Sequence, residues 1–189
     1  MKKQLVSLAF LLGLTTGAFA QTEHYTIDTT HTYPSFEVNH MGFSLQRGQF
    51  NKTTGNIALD PEKQTGSMDV SIETNSLASG FAKRDEHLKG EGFFNVAKYP
   101  TMTFKSNHLI FEGKTLKAVE GQLTLLGVTK PVRLEVNYFH VGVNPMTQKV
   151  TYGANAITTI KRSAFGMNTF LHAIGDDVKL NIQIEAFKN

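Results

Sequence analysis

"DVKLNIQIEAF", residues 177–187, decides the fold. Val178, Leu180, Ile182, Ile184 and Ala186 fall on one side of an extended chain, and Asp177, Lys179, Asn181, Gln183 and Glu185 on the other. A period of two belongs to a β-strand with one dry and one wet face; a helix would scatter the same residues around its axis. "SMDVSIE" (67–73) repeats the pattern with Met68, Val70 and Ile72, and "SFEVNH" (35–40) with Phe36 and Val38. Further strand candidates are Leu45–Phe50, Gly55–Leu59, Thr101–Glu112, Leu116–Leu125, Pro131–Val143 and Thr151–Ile160. Turn signals separate them: "DPEKQTG" at 60–66, "EGK" at 112–114 and "NPMTQ" at 144–148. Successive strands on short loops are antiparallel. About eight or more of them in one domain favour a sandwich or a closed barrel, and closure removes the exposed edges.

One stretch resists the strand reading. "SLASGFAKRDEHLKG", residues 76–90, has helix formers at its centre, with Phe81 and Leu88 seven apart on one helical face. Ser79 suits the start and Gly90 the position past the end, so a short helix is predicted over about 79–89.

The first twenty residues, "MKKQLVSLAFLLGLTTGAFA", read as a Sec signal peptide. Lys2 and Lys3 precede an apolar run from Leu5 to Leu14, and Ala18-Phe19-Ala20 is the small-x-small pattern that precedes cleavage. The run is shorter than the roughly 20 apolar residues of a membrane span, which disfavours an uncleaved anchor. Cleavage after Ala20 leaves a single domain, residues 21–189, exported and not membrane-spanning. Without Lys2 and Lys3 the formal charge falls from +3 to +1, and no basic patch points to nucleic acid. Cysteine is absent, so an exported chain must rely on its core, which suits a bacterial periplasm.

Catalytic and metal signatures are not prominent. The seven histidines, His24, His31, His40, His87, His108, His140 and His172, form no His-x-His or His-x-x-x-His pair. No Gly-x-Ser-x-Gly or Ser-x-x-Lys motif occurs. The densest charged cluster, Arg84-Asp85-Glu86-His87, reads as a solvated helix face, with Asp85 and Lys89 in the favourable i,i+4 order. The expectation is therefore no enzyme, no cofactor and no metal. The apolar content is more telling: fourteen Phe, no Trp, and many Phe near predicted strand ends. An eight-stranded barrel is just wide enough to hold one slender ligand. Each buried CH₂ contributes about 0.8 kcal/mol, so roughly ten buried carbons supply a gross ~8 kcal/mol without any strong polar contact.

Four blocks carry a family resemblance. "YTIDTTHTYPSFEVNHMGFSLQRGQF" (25–50) holds Asp28, His31, Phe36, Val38, His40, Gly42, Phe43, Gly48 and Phe50 in the expected order. "RDEHLKGEGFFNVAKYPTMTFKS" (84–106), "GQLTLLGVTKPVRLEV" (121–136) and "IKRSAFGMN" (160–168) follow. Together they resemble the YceI-like family of polyisoprenoid-binding proteins over about residues 24–187. The resemblance implies a lipocalin-like antiparallel barrel with a helix beside it and an apolar tunnel for isoprenoid or fatty-acyl chains. It also implies homodimers in some members, and a periplasmic, sometimes stress-associated, role.

On that reading the tunnel wall is expected to draw on Phe36, Val38, Phe43, Phe50, Phe94, Phe104, Leu123, Leu125, Phe165 and Met167. His40 and Arg162 are expected at the mouth, meeting a polar head group, although Arg162 also suits an ordinary rim ion pair. The expected function is a periplasmic binding or carrier protein for a long apolar lipid: a polyisoprenoid, an isoprenoid quinone or a fatty-acyl chain. The alternatives are a stress-related interaction protein with a packed barrel, and an enzyme acting on an isoprenoid lipid.

Overall fold

A computed structural model describes residues 22–189; the leader expected over 1–20, with its cleavage after Ala20, lies outside the described residues. Eleven strands form one antiparallel sheet: β1 (Glu23–Ile27), β2 (Tyr33–His40), β3 (Ser44–Phe50), β4 (Thr53–Asp60), β5 (Thr65–Glu73), β6 (Leu77–Ala78), β7 (Thr101–Glu112), β8 (Thr115–Leu125), β9 (Val128–Val143), β10 (Val150–Lys161) and β11 (Ile174–Lys188). A single α-helix, α1 (Ala82–Lys89), interrupts the series among the described residues. The sheet closes because β11 pairs with β1 as well as with β2 and β10.

The closure has a simple geometry. β11 runs past β2 with Ile174–Gln183 and past β1 with Ala186–Lys188, so β1 and β2 act as one bent stave. β3 and β4 form a second bent stave, pairing with β2 and β1 in turn, and β5 with β6 a third. The barrel therefore has eight antiparallel staves in up-and-down order. Closure leaves one short gap, where β6 pairs with β3 alone over two residues and the rest of β3 has a single partner; elsewhere it removes the edges through which an all-β chain would associate.

The bend between β1 and β2 is held by side chains. Asp28 Oδ1 accepts from the Thr30 amide (2.8 Å) and hydroxyl (2.6 Å), and its Oδ2 lies 2.8 Å from His31 Nδ1. Thr32, 1% exposed, accepts from the Glu185 amide at 3.2 Å. These contacts satisfy the backbone where the ladder breaks.

Strand alternation holds as predicted through β2, β5 and the 177–187 run of β11; register shifts interrupt it elsewhere, and those on β7 and β9 reset the inward face. On β7, Met102, Phe104 and Ser106 face inward, the register shifts between Ser106 and His108, and Leu109 and Phe111 then take over the core side. Ser106 stabilises the bulge by donating to Glu120 O (2.6 Å) and accepting from the His108 amide (3.1 Å). A shift opposite Asn155 and Ala156 does the same on β9, moving the inward set from Val132, Leu134 and Val136 to Phe139. A bulge inserts one residue on one strand and flips the facing of everything beyond it.

The two ends of the barrel differ. At one end the connections are short, residues 61–64, 113–114 and 144–149. Tyr25, Leu59 and Ala186 pack there with Phe111 and Tyr152, the two tyrosine rings meeting edge-on at 4.9 Å. At the other end lie 41–43, 126–127 and the two long connections, 79–100 and 162–173.

The helix is shorter than the sequence predicts. It begins at Ala82, and its N-cap position is Phe81, with no side-chain cap. Ser79 instead gives its amide and hydroxyl to the Asp85 carboxylate, so it anchors the segment before the helix. β1 and β6 were not anticipated from the sequence, being too short to show a clear alternation.

Candidate functional site

The barrel is hollow. A cavity of about 1220 Å³ occupies its interior and reaches the end bearing the long connections. Ordinary small-ligand pockets span roughly 300–1,000 Å³, so this space suits a larger or longer occupant. Its deep wall is aliphatic and aromatic, contributed by the dry faces of β2, β5, β7, β8, β9, β10 and β11. The wall has two textures. On β5, β7 and β8, Val70, Ile72, Met102, Phe104, Leu123 and Leu125 are fully buried. On β9 and β11, Leu134, Val136, Leu180 and Ile182 also line the cavity but are only half-buried. A solid core would bury such side chains completely.

The mouth is built from four connections. Helix α1 sits across it with Leu88 and His87 on the cavity side. The His87 ring meets the edge of Phe93 at 5.1 Å and stacks with Phe170 at 6.4 Å, joining the 79–100 and 162–173 connections over the opening. Phe94 turns the other way and packs against Phe50 (5.2 Å) and Phe36 (6.1 Å) at the cavity wall. Both lie in the turn after α1, where the Phe93 amide bonds Gly90 O (3.1 Å) and the Phe94 amide bonds Leu88 O (3.0 Å), and the pair serves both clasp and wall.

The charged cluster of α1 is scaffold. Arg84 donates from Nε to Ser79 Oγ (2.8 Å), from Nη2 to Ser79 O (2.5 Å), and from Nη1 to Gln46 Oε1 on β3. Asp85 holds Ser79 from the other side. The predicted Asp85–Lys89 pair is not formed, because Asp85 is turned back toward Ser79. These contacts tie the helix to the rim of the barrel.

Of the ten expected wall residues, Phe36, Val38, Phe50, Phe94, Phe104, Leu123, Leu125 and Met167 border the cavity. Phe43 does not. It is 88% exposed on the β2–β3 turn, where its amide bonds His40 O (3.0 Å) and the chain reverses above the last rung. No barrel wall stands beside it there. Phe165 is 2% exposed in the 3₁₀ turn after β10, within the packed core rather than on the cavity wall. His40, at the end of β2, borders the mouth as expected.

Arg162 differs most from expectation. It is 3% exposed, and its guanidinium is enclosed by backbone carbonyls. Nε donates to Gly175 O (2.9 Å), Nη1 to Met167 O and Thr169 O (both 2.9 Å), and Nη2 to Ile174 O (3.0 Å). Four of its five N–H donors are thereby used, two on the 162–173 connection and two on the first residues of β11. Burial lowers its pKa, but guanidinium remains a cation in proteins. Asp176 beside it accepts from the Ser163 amide (2.9 Å) and hydroxyl (2.8 Å), which hold its carboxyl below the ordinary range. Arg162 borders the cavity, with four of its N–H donors spent on clamping residues 162–175.

The sequence reading missed the part of the mouth made by Phe81, His87, Phe170 and His172. No periodicity could find them, since they converge from connections about 80 residues apart in the chain. One group of possible metal ligands occurs among the described residues: Asp28, His31 and Glu185, with ligand atoms within 4.8 Å of one another. These are the groups that brace the β1–β2 bend, and none of them borders the cavity.

Comparison with known proteins bears on this architecture. The chain is 36% identical over 188 residues to protein YceI of Salmonella agona, covering 98% of this chain and 97% of that one. Among solved structures it is similar to BcnA of Burkholderia cenocepacia, with a TM-score of 0.71, 25% identity, and coverage of 84% of this chain and 98% of the other. A polyisoprenoid binding domain from Saccharophagus degradans shares the fold, with a TM-score of 0.67, 16% identity, and coverage of 89% and 100%. The YceI-like domain family itself matches residues 25–186. With its four sequence blocks, its eight-staved barrel and this match over nearly all of the described residues, the chain belongs to the YceI-like family.

Proposed function

We propose that this protein is a periplasmic carrier that holds one long apolar lipid, a polyisoprenoid, isoprenoid quinone or fatty-acyl chain, in the barrel cavity. The observation that carries the reading is the cavity itself: about 1220 Å³, aliphatic and aromatic in depth, and open at one end. Such a space binds by area. At about 0.8 kcal/mol per buried CH₂, a long chain gains useful affinity even after the ordering cost of association. Polar side chains gather at the mouth, where His40, His87 and His172 can meet a head group while the chain lies below. The polyisoprenoid binding domain that shares this fold supports the same class of ligand. Binding rather than turnover is the reading, because the one dense charged cluster near the cavity is engaged in tying the helix to the rim.

Native mass spectrometry of protein purified from its source tests the proposal. The expected result is a co-purifying isoprenoid or fatty-acyl mass at one per chain. Ala154 borders the cavity on β10, so Ala154→Trp is expected to fold and to lose that mass. Repeated absence of any lipid from the parent protein, or full retention in Ala154→Trp, would overturn it.

A further inference from the structure

Six of the ten large apolar side chains exposed among the described residues gather at one end of the barrel; the other four, Tyr138, Val141, Val143 and Met146, lie on β9 and the 144–149 connection toward the opposite end. Met41 (54% exposed), Phe43 (88%) and Leu45 (56%) stand on the β2–β3 turn, Phe81 (59%) at the start of α1, and Phe170 (50%) and Leu171 (36%) on the 162–173 connection. These three connections are far apart in the chain and all lie at the open end of the barrel. Met41, Phe81 and Phe170 also border the cavity, so the apolar surface runs unbroken from the outer rim into the interior. Single exposed hydrophobic side chains need no explanation, but a cluster around one opening does.

We propose that this rim docks on the surface of an anionic lipid bilayer and that the ligand moves between bilayer and cavity through it. The inference rests on the lipid-carrier reading. Three features favour a bilayer over a protein partner. A long apolar chain leaving a membrane for an isolated barrel must cross water, and each exposed methylene opposes that step. A rim seated among the acyl chains removes the crossing. Secondly, the apolar segments 41–46 and 163–175 contain no Asp or Glu, so nothing in them opposes an anionic head-group layer. Thirdly, apart from the buried Arg162, the four connections at this end carry Lys83, Arg84, Lys89 and Lys98 against Asp85, Glu86 and Glu91, a net +1. Shallow apolar insertion with cations at head-group level is the pattern of interfacial membrane binding.

The chain contains no Trp, so Phe43→Trp makes a single reporter at the rim, and Val143→Trp, 60% exposed at the opposite end, makes a control. Both are mixed with vesicles of phosphatidylethanolamine and phosphatidylglycerol, and with vesicles of phosphatidylcholine alone. The expected result is a blue shift of the Phe43→Trp emission and co-flotation on the anionic vesicles, weakened by salt, with no shift at Val143→Trp. The variant Phe43→Ser/Leu45→Ser/Leu171→Ser alters only rim residues outside the cavity wall. It is expected to lose vesicle affinity by at least about tenfold while keeping its co-purified lipid. Lipid-loaded protein that floats on neither vesicle would overturn the docking and leave the carrier reading standing. So would an equal shift at both reporters, or a Phe43 shift that follows self-association without vesicles. Vesicle binding by protein that never carries a lipid would instead count against the carrier reading.

Discussion

Replacing Arg162 by lysine separates two roles that the sequence alone leaves open. If the residue reads a head group through its charge, Lys keeps the charge and keeps the function. If it clamps the 162–175 connection, Lys fails. The guanidinium presents a planar fork to four carbonyls, those of Met167, Thr169, Ile174 and Gly175. An ammonium is a point donor and cannot span them. Hydrogen bonds to a charged group are each worth about 1.5–3 kcal/mol, and a buried carbonyl left unpaired costs about 1–3 kcal/mol. The four losses do not add, since water and local shifts recover part of them. Removing one side of a buried charged constellation typically costs about 3–5 kcal/mol. We expect Arg162→Met to fall in that range and Arg162→Lys to recover less than half of it. For a domain of this size 1 kcal/mol moves Tm by about 2–4 °C, so Arg162→Met should melt roughly 6–20 °C lower. The loss has a ceiling, because the connection can detach from the mouth before the barrel opens. Hydrogen exchange at Met167–Gly175 should therefore accelerate more than exchange in β7 and β8. Urea unfolding of both variants, beside lipid retention, is the assay. An Arg162→Lys protein within about 0.5 kcal/mol of the parent that keeps its lipid, beside an equally stable Arg162→Met protein that has lost it, would refute the clamp.

Two further outcomes follow from single side chains. Thr53 is fully buried, and its Oγ1 is the one buried side-chain polar atom among the described residues without a hydrogen-bond partner. Thr53→Val keeps the shape and removes that unpaired hydroxyl, so urea unfolding should show a gain of about 1 kcal/mol; a comparable loss would mean that a bound water satisfies it. At the β1–β2 bend, the Asp28 hydrogen bond raises the His31 pKa above its ordinary 6.5. Burial pushes the Asp28 carboxyl up, but the bonds from Thr30 and His31 outweigh it and hold it below its ordinary 3.8. A raised histidine stabilises below its unfolded value and loses that contribution as pH rises through the folded one; a depressed carboxylate loses its own as pH falls through the folded value. The pair should therefore support the fold most between about pH 4 and 6.5. The urea midpoint should decline above that window in the parent and stay flatter in His31→Ala, and identical profiles would refute the linkage.

How much of this was legible beforehand differs from element to element. The all-β class, the antiparallel order and most strand bounds follow from alternation, because a period of two has one structural meaning once turn residues bracket it. "DVKLNIQIEAF" lies within β11 as read, and Val178, Leu180, Ile182 and Ile184 all face the cavity. The family resemblance added the barrel and the lipid class, which periodicity does not carry.

Other features required the third dimension. Alternation assigns a side chain to the inside but not to a wall or a filled core, and Leu180 and Leu59 look alike in sequence although one borders the cavity and the other is packed at the closed end. The bulges on β7 and β9 reverse the facing beyond them without any Gly or Pro at the shifted positions to announce it. Arg162, Phe43 and His87 show the same limit at the mouth. Whether an arginine clamps, a phenylalanine projects or a histidine bridges depends on which distant connection arrives beside it. The chain by itself determined an antiparallel all-β domain with one short helix, because hydrophobic period and turn chemistry are local. Only the tertiary structure decided that the barrel is hollow, open at one end and clasped there by two loops, because cavity and mouth are made by residues that meet solely through closure.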